Sequence, residues 1–363
     1  MHRTVVSVGA RMPISRRYYT LDAMRGVAAI LVVLYHAGPV TTIIAPAGYI
    51  AVDFFFALSG FVIAGIYEAK LRNGLSSPQR FAIIRLTRLY PLYLVGLLLG
   101  MAKAVGAWVL AAPHALTGSQ IVLSTVFGLA ILPTLPPLDD LFPLNGPAWS
   151  LFLEIAINIV FALWLVHWKS RSLVGLAALS ALAMMVTVIH AQSLNVGWNW
   201  ETLHAGFARV TFAFTMGVLL ARNRTALGWK VSWAALIPIT ALILALCLPA
   251  PQQYRTMIDL VIALLICPAI LYYGTVLECP LQLRPLASFL GDISYPVYAV
   301  HFPLLFMFTH VAGRAGLAGS SVLWVFMPCL IAGSALLYHL YDVPVRRFLS
   351  ARRGAVLQPE IVI

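Results

Sequence analysis

Charge is what this chain has least of. Only 10% of its 363 residues are charged, against about 25% in an ordinary soluble domain, while 61% are hydrophobic. That leaves no soluble domain of any size. Cysteine is scarce as well. Cys247, Cys267, Cys279 and Cys329 lie in or beside apolar runs without CxxC spacing, which argues against a disulfide framework or a cysteine metal site and leaves small packing residues. Acidic residues number 12 against 24 basic ones, a net charge of +12. Such an excess would suit nucleic acid, but the basic residues sit in short tethers beside apolar segments, the pattern of a positive-inside membrane protein, so no nucleic-acid partner is expected. No convincing small-residue cleavage site follows the first apolar run, although Arg3, Arg11, Arg16 and Arg17 precede it. An uncleaved first helix is expected.

What fills the chain instead is apolar runs of roughly 20 residues, each long enough to span a bilayer. Hydrocarbon offers no partner to free backbone groups, so the runs must be helices. The expected fold is an all-α integral membrane bundle of about ten transmembrane helices. They cover Leu21–Ala37, Gly48–Tyr67, Leu89–Ala111, Trp149–Trp168, Leu173–Ala191, Phe207–Ala221, Val231–Pro249, Met257–Leu277, Phe289–Val311 and Val322–Leu340. With both termini cytoplasmic, Lys70, Arg72, Arg80, Arg85, Arg88, Lys169, Arg171, Arg222, Arg224, Lys230, Arg284, Arg346, Arg347, Arg352 and Arg353 all fall inside. The outer loops would then keep chiefly Arg209, Arg255 and Arg314. Gln120–Leu132 is apolar but short and is followed by Pro133, Pro136, Pro137, Pro143 and Pro147. Counting it as a crossing would invert everything downstream, so it is expected to be re-entrant or interfacial, with the proline-rich backbone buried or lining a cavity. No internal repeat is visible. The chain divides into a basic N-terminal segment (1–18), one membrane domain (19–348) and a C-terminal tail (349–363).

Ionisable side chains inside hydrocarbon cost several kcal/mol, so each marks a candidate functional site. In LDAMRGVAAILVVLYH, Arg25 and His36 are eleven residues apart, sharing a face roughly 16 Å apart along the axis, and Asp22 can pair with Arg25 one turn away. Asp53 enters on the second helix at the depth of His36, and a carboxylate within reach would set the imidazole tautomer and raise its basicity. Ser59-Gly60 offers a close-packing step, with Ser59 as a candidate nucleophile. In NGPAWSLFLEIAIN, Trp149 suits an interface, Ser150 follows it, Glu154 lies at the depth of His36, and Asn158 is one turn further in. GDISYPVYAVH adds Tyr295 and brings His301 to the same outer half. His36, Asp53, Glu154 and His301 are thus expected to converge on one cavity. On the inner face, RLTRLYPLY stacks Arg85 and Arg88 at i,i+3, which suits phosphate oxygens and equally suits a helix anchor.

LDAMRGVAAILVVLYHAG resembles the opening helix of the acyltransferase-3 family, with its Arg, ten residues, then His. GYIAVDFFFALSGFVI, RLTRLYPLY, NGPAWSLFLEI, FLGDISYPVYAVHFPL and YDVPVRR resemble that family's successive motifs in the same order, from Tyr19 to about Phe348. The resemblance implies a multi-pass protein of the bacterial inner membrane. It would transfer an acyl group, acetyl above all, from cytoplasmic acyl-CoA to a hydroxyl of a surface or exported glycan. Arg25 and His36 correspond to the family's essential pair, and Arg85 and Arg88 to its basic motif. The expected roles are His36, Asp53 and Glu154 in catalysis, Arg25, Arg85 and Arg88 at the donor, and Trp149, Ser150, Asn158, Tyr295 and His301 at the acceptor. No metal and no permanently bound cofactor is expected; acyl-CoA is a substrate.

Two departures stand out. Many relatives continue into an extracytoplasmic hydrolase-like domain, whereas this sequence stops after its last helix, so transfer is expected within the membrane domain or with a separate partner. The last motif carries Asp342 where Glu is usual. Direct transfer and an acyl-His36, acyl-Ser59 or acyl-Ser150 relay both remain open, as do lipid and small antibiotic acceptors. A transporter would show paired repeats with broken helices, and none is visible.

Overall fold

The computed structural model describes residues 17–38, 44–223, 230–317 and 319–351. Arg3, Arg11, Arg16, Arg224, Arg352 and Arg353 lie outside the described residues. The described chain forms α1 (Tyr19–Ala37), α2 (Ala51–Arg72), α3 (Pro78–Val109), α4 (Gly118–Leu129), α5 (Ala148–Leu163), α6 (Ser170–Ala191) and α7 (Leu203–Arg222). It continues through α8 (Leu236–Cys247), α9 (Gln252–Val261), α10 (Cys267–Val276), α11 (Arg284–Arg314), α12 (Ser320–Leu337) and α13 (Val343–Ala351). Among the described residues, strand structure is confined to a two-residue parallel pair, β1 (Lys230–Val231) with β2 (Leu277–Glu278), and one isolated bridge between Asp140 and Asn199.

Among the described residues, eight stretches are long and apolar enough to cross a bilayer: Tyr19–Ala37, Gly48–Arg72, Pro78–Val109, Ser170–Ala191, Leu203–Arg222, Gln252–Val276, Leu281–Arg314 and Ser320–Ala351. The protein is therefore an all-α integral membrane protein. The other two expected crossings fold as shorter apolar helices, α5 with 16 residues and α8 with 12. At 1.5 Å per residue these reach about 24 and 18 Å, against a hydrocarbon core of about 30 Å. Gln120–Leu132 contributes to α4, also 12 residues, which starts on a reciprocal cap between Thr117 and Gln120.

Two parallel helix pairs organise the bundle. In the first, α2 lies against α7 so closely that a Cβ on Gly60 would come within 2.1 Å of Phe214 O, and one on Gly217 within 1.9 Å of Ala57 O. Small residues let backbones meet where lipid supplies no hydrophobic drive. In the second, α1 lies along α11, with Arg25 near Gly291 and Ser294 at one end and His36 near His301 at the other. Arg72 and Arg222 lie toward the first end, bridged by Glu68, both at 2.9 Å. This basic end and the opposite histidine end define the two poles of the bundle. The proline-rich stretch folds over the histidine end. Thr134 N donates to Leu141 O at 2.8 Å, Leu141 N to Trp198 O at 3.1 Å, and Asn145 Nδ2 to Ala299 O at 2.9 Å, with Leu141, Phe142 and Leu144 buried.

Candidate active site

His36 and His301 touch at the histidine end, with His301 Nε2 3.2 Å from His36 Nδ1. Their surroundings settle the tautomers. His301 Nδ1 lies 2.8 Å from Tyr298 O and 3.2 Å from Val297 O. Carbonyls only accept, so His301 Nδ1 carries the hydrogen and its Nε2 holds the lone pair. His36 Nδ1 faces that lone pair and, at 3.0 Å, Val32 O. Two acceptors require a donor, so His36 Nδ1 carries its hydrogen and Nε2 keeps a lone pair. His36 Nε2 makes no hydrogen bond among the described residues. A neutral imidazole with a free Nε2 is a general base.

Toward the basic end lies a cavity that opens to solvent. Arg25, Arg85, Arg88, Asp292, Asp342 and Arg346 line it, and an apolar wall of Val52, Phe55, Phe56, Leu58 and Val62 faces them. Arg25 donates to Ser294 Oγ at 2.8 Å and Gly291 O at 2.5 Å. Asp22 does approach Arg25, at 3.7 Å, but its nearer partner is Arg17 at 2.5 Å. Asp342 pairs with Arg346 at 2.7 Å. At the cavity's inner end Ser150 Oγ and Tyr298 OH are hydrogen-bonded at 2.6 Å, and the Tyr298 ring lies 5.8 Å from both His301 and Phe55. Tyr295 also lines this cavity and donates to Leu89 O at 2.5 Å.

The four polar residues expected at one level separate into three places. Only His36 and His301 meet. Glu154 lies one turn past Ser150, inside the cavity, where Arg85 Nη2 and Ser59 Oγ both donate to its Oε1 at 2.9 Å. The arginine expected at the inner face and the glutamate expected in the outer half are thus partners, because α3 carries Arg85 two turns into the bundle. Asp53 instead accepts two hydrogen bonds from Arg209, at 2.6 and 3.1 Å. Neither carboxylate contacts His36. Trp149 is buried within the protein, outside the cavity, with the Arg209 guanidinium 5.3 Å from its ring. Asn158 is buried outside the cavity, and neither of its side-chain polar atoms has a hydrogen-bond partner among the described residues.

Arg209 departs from the expectation drawn from the sequence. It is not an outer-loop charge but is fully buried in α7, also donating to Val196 O at 2.7 Å and Tyr49 O at 3.1 Å. Tyr49 in turn donates to Asp259, which pairs with Arg255 at 2.8 Å, so Arg255 is held in the same network. The signal was present: Arg209 already falls within the expected crossing Phe207–Ala221, where a lone guanidinium is costly.

The family model described as an acyltransferase domain matches residues 18–339. A Rhizobium radiobacter protein named Protein 2 in picA locus is 40% identical over 180 residues, 47% of this chain and 94% of that protein. A Bacillus subtilis (strain 168) protein provisionally named peptidoglycan O-acetyltransferase YrhL is 27% identical, covering 90% of this chain and 54% of its own length. Acyltransferase MdmB of Streptomyces mycarofaciens is 27% identical, over 86% of this chain and 84% of that protein. No solved structure matches. The chain belongs to the acyltransferase-3 family and is a multi-pass membrane acyltransferase.

Proposed function

Within that family, we propose that this protein is an O-acyltransferase, with acyl-CoA, acetyl-CoA foremost, as donor and a hydroxyl of a surface or exported glycan as acceptor. The observation that carries the reading is the pairing of an arginine-lined cavity with a neutral imidazole pair beyond its inner end. Arg25, Arg85 and Arg88 supply charge-assisted bonds for the phosphates of the donor. The apolar wall of α2 suits the pantetheine arm, which runs toward the histidine end; Arg25 and His36 are about 16 Å apart along α1. Phe55 and Tyr298 stand between the cavity and the histidines, so their rotation opens the path. His36 Nε2 takes the acceptor's hydroxyl proton as the oxygen attacks the thioester carbonyl. The C–S bond breaks, and CoA leaves as a thiolate that is protonated on release.

On this reading the basic end faces the cytoplasm, where acyl-CoA is made, and the bilayer is the bacterial inner membrane. Mass spectrometry of surface glycans from cells with and without the gene tests the reading. Loss of acyl esters on deletion, restored by the wild-type gene and not by His36→Ala, is expected. Unchanged glycan acylation would sink it.

A further inference from the structure

Lys103 is a half-buried cation at the pole opposite the donor arginines and, unlike Arg209 and Arg255, has no carboxylate against it among the described residues. Lys103 lies in α3 fifteen residues beyond Arg88, about 22 Å further toward the histidine end. Its Nζ stands 5.3 Å from the Phe302 ring centroid and 5.5 Å from that of Phe306. Phe302 meets His36 edge-on, with ring centroids 5.2 Å apart. One phenyl ring therefore separates the ammonium from the imidazole that takes the proton.

Among the described residues Lys103 has no hydrogen bond and no carboxylate within 4.0 Å. Asp140, in the proline-rich stretch, acts on it only from further away. Burial and the neighbouring Asp139 push the Asp140 carboxyl above its ordinary value, while the Lys103 charge pulls it back. Two aromatic faces compensate only part of the cost of an ammonium placed in a membrane helix. What is missing among the described residues is an anion in contact with it.

We infer that Lys103 binds a carboxylate or phosphate carried by the acceptor, on the sugar presented to His36 or on its neighbour, and so selects anionic over neutral glycans. The inference rests on the acyl-transfer reading and adds the acceptor's charge class to it. The rings of Phe302 and Phe306 form the floor on which the acceptor lies. The cationic donor subsite and the cationic acceptor subsite then occupy opposite ends of α3.

The test uses the full chain in lipid nanodiscs with radiolabelled acetyl-CoA. Surface glycan from cells carrying the gene is separated by anion exchange into neutral, carboxylate-bearing and phosphate-bearing fractions. Label should enter one of the two anionic fractions, which also tells carboxylate from phosphate. Lys103→Met should raise the KM for that fraction roughly tenfold or more, with the KM for acetyl-CoA unchanged, and Lys103→Arg should restore most of the loss. If Lys103→Met does not insert, Lys103→Gln takes its place, and the distribution of label with wild-type protein stands by itself. Equal or greater labelling of the neutral fraction, or an acceptor KM indifferent to Lys103→Met, overturns the inference. Failure to label any fraction sinks the acyl-transfer reading itself, and this inference with it.

Discussion

His301 Nε2 lies 3.2 Å from His36 Nδ1, and that contact, with Val32 O at 3.0 Å, holds the lone pair of His36 on Nε2. His36→Ala should therefore lower kcat by roughly 10²–10⁴-fold, the usual worth of a general base, with thermal stability near wild type. His301→Phe removes the acceptor but leaves Val32 O, so its loss should be smaller. His301→Gln, which can offer a side-chain carbonyl, should recover part of it. Initial rates of the purified variants decide this: a wild-type rate in His36→Ala overturns the assignment.

The Asp53–Arg209 pair is buried on both sides, so breaking it leaves a charge with no solvent. Asp53→Leu and Arg209→Met should each destabilise by about 3–5 kcal/mol, while the double variant should recover much of the loss. Thermal unfolding of the four proteins in one detergent measures the coupling. Additive losses would mean that the pair does not act as a unit.

Arg88→Ala should raise the KM for acyl-CoA by roughly 10- to 150-fold, the equivalent of one charge-assisted bond of about 1.5–3 kcal/mol. Arg85 differs, because its Nη2 also holds Glu154 at 2.9 Å. Arg85→Lys keeps the charge and loses the planar fork, so it should recover activity only in part. Unchanged acyl-CoA binding in a correctly inserted Arg85→Ala/Arg88→Ala protein would leave both arginines as anchors.

α4 is too short to cross at about 18 Å, so Thr117 at its start and Leu138 beyond its end should face the same side of the membrane. Single cysteines at the two positions, labelled with an impermeant reagent in intact cells and in inverted vesicles, check this. Labelling from opposite sides would reopen the count of crossings.

Glu278 follows α10, and burial pushes its carboxyl up to about 7 although backbone N–H groups of Cys279, Thr20 and Tyr19 act against the shift. A folded-state value raised above the unfolded one means that the folded protein binds the extra proton. The contribution to stability is therefore full below the unfolded value of 4.5 and is lost as pH rises through about 7. The thermal midpoint of Glu278→Gln should change less than wild type over that window. Parallel curves for the two proteins would remove Glu278 from the pH response.

Composition by itself determined that this is a helical membrane protein, because apolar runs of about 20 residues admit only structures that satisfy their own backbone. The spacing of Arg25 and His36 determined that they share a face of one helix, because eleven residues are close to three turns. Partner choice was another matter. Asp53 and Glu154 were readable as buried carboxylates, but depth along single helices does not say which neighbour a side chain meets. That depends on the parallel packing of α2 with α7 and α1 with α11, and on how far α3 carries Arg85 into the bundle. Tertiary structure gave Asp53 to Arg209 and Glu154 to Arg85, and left His36 to His301. The physical reason is that a buried carboxylate is most stable against a guanidinium, whose charge offsets its desolvation, whereas a neutral imidazole needs only a lone pair to face its hydrogen.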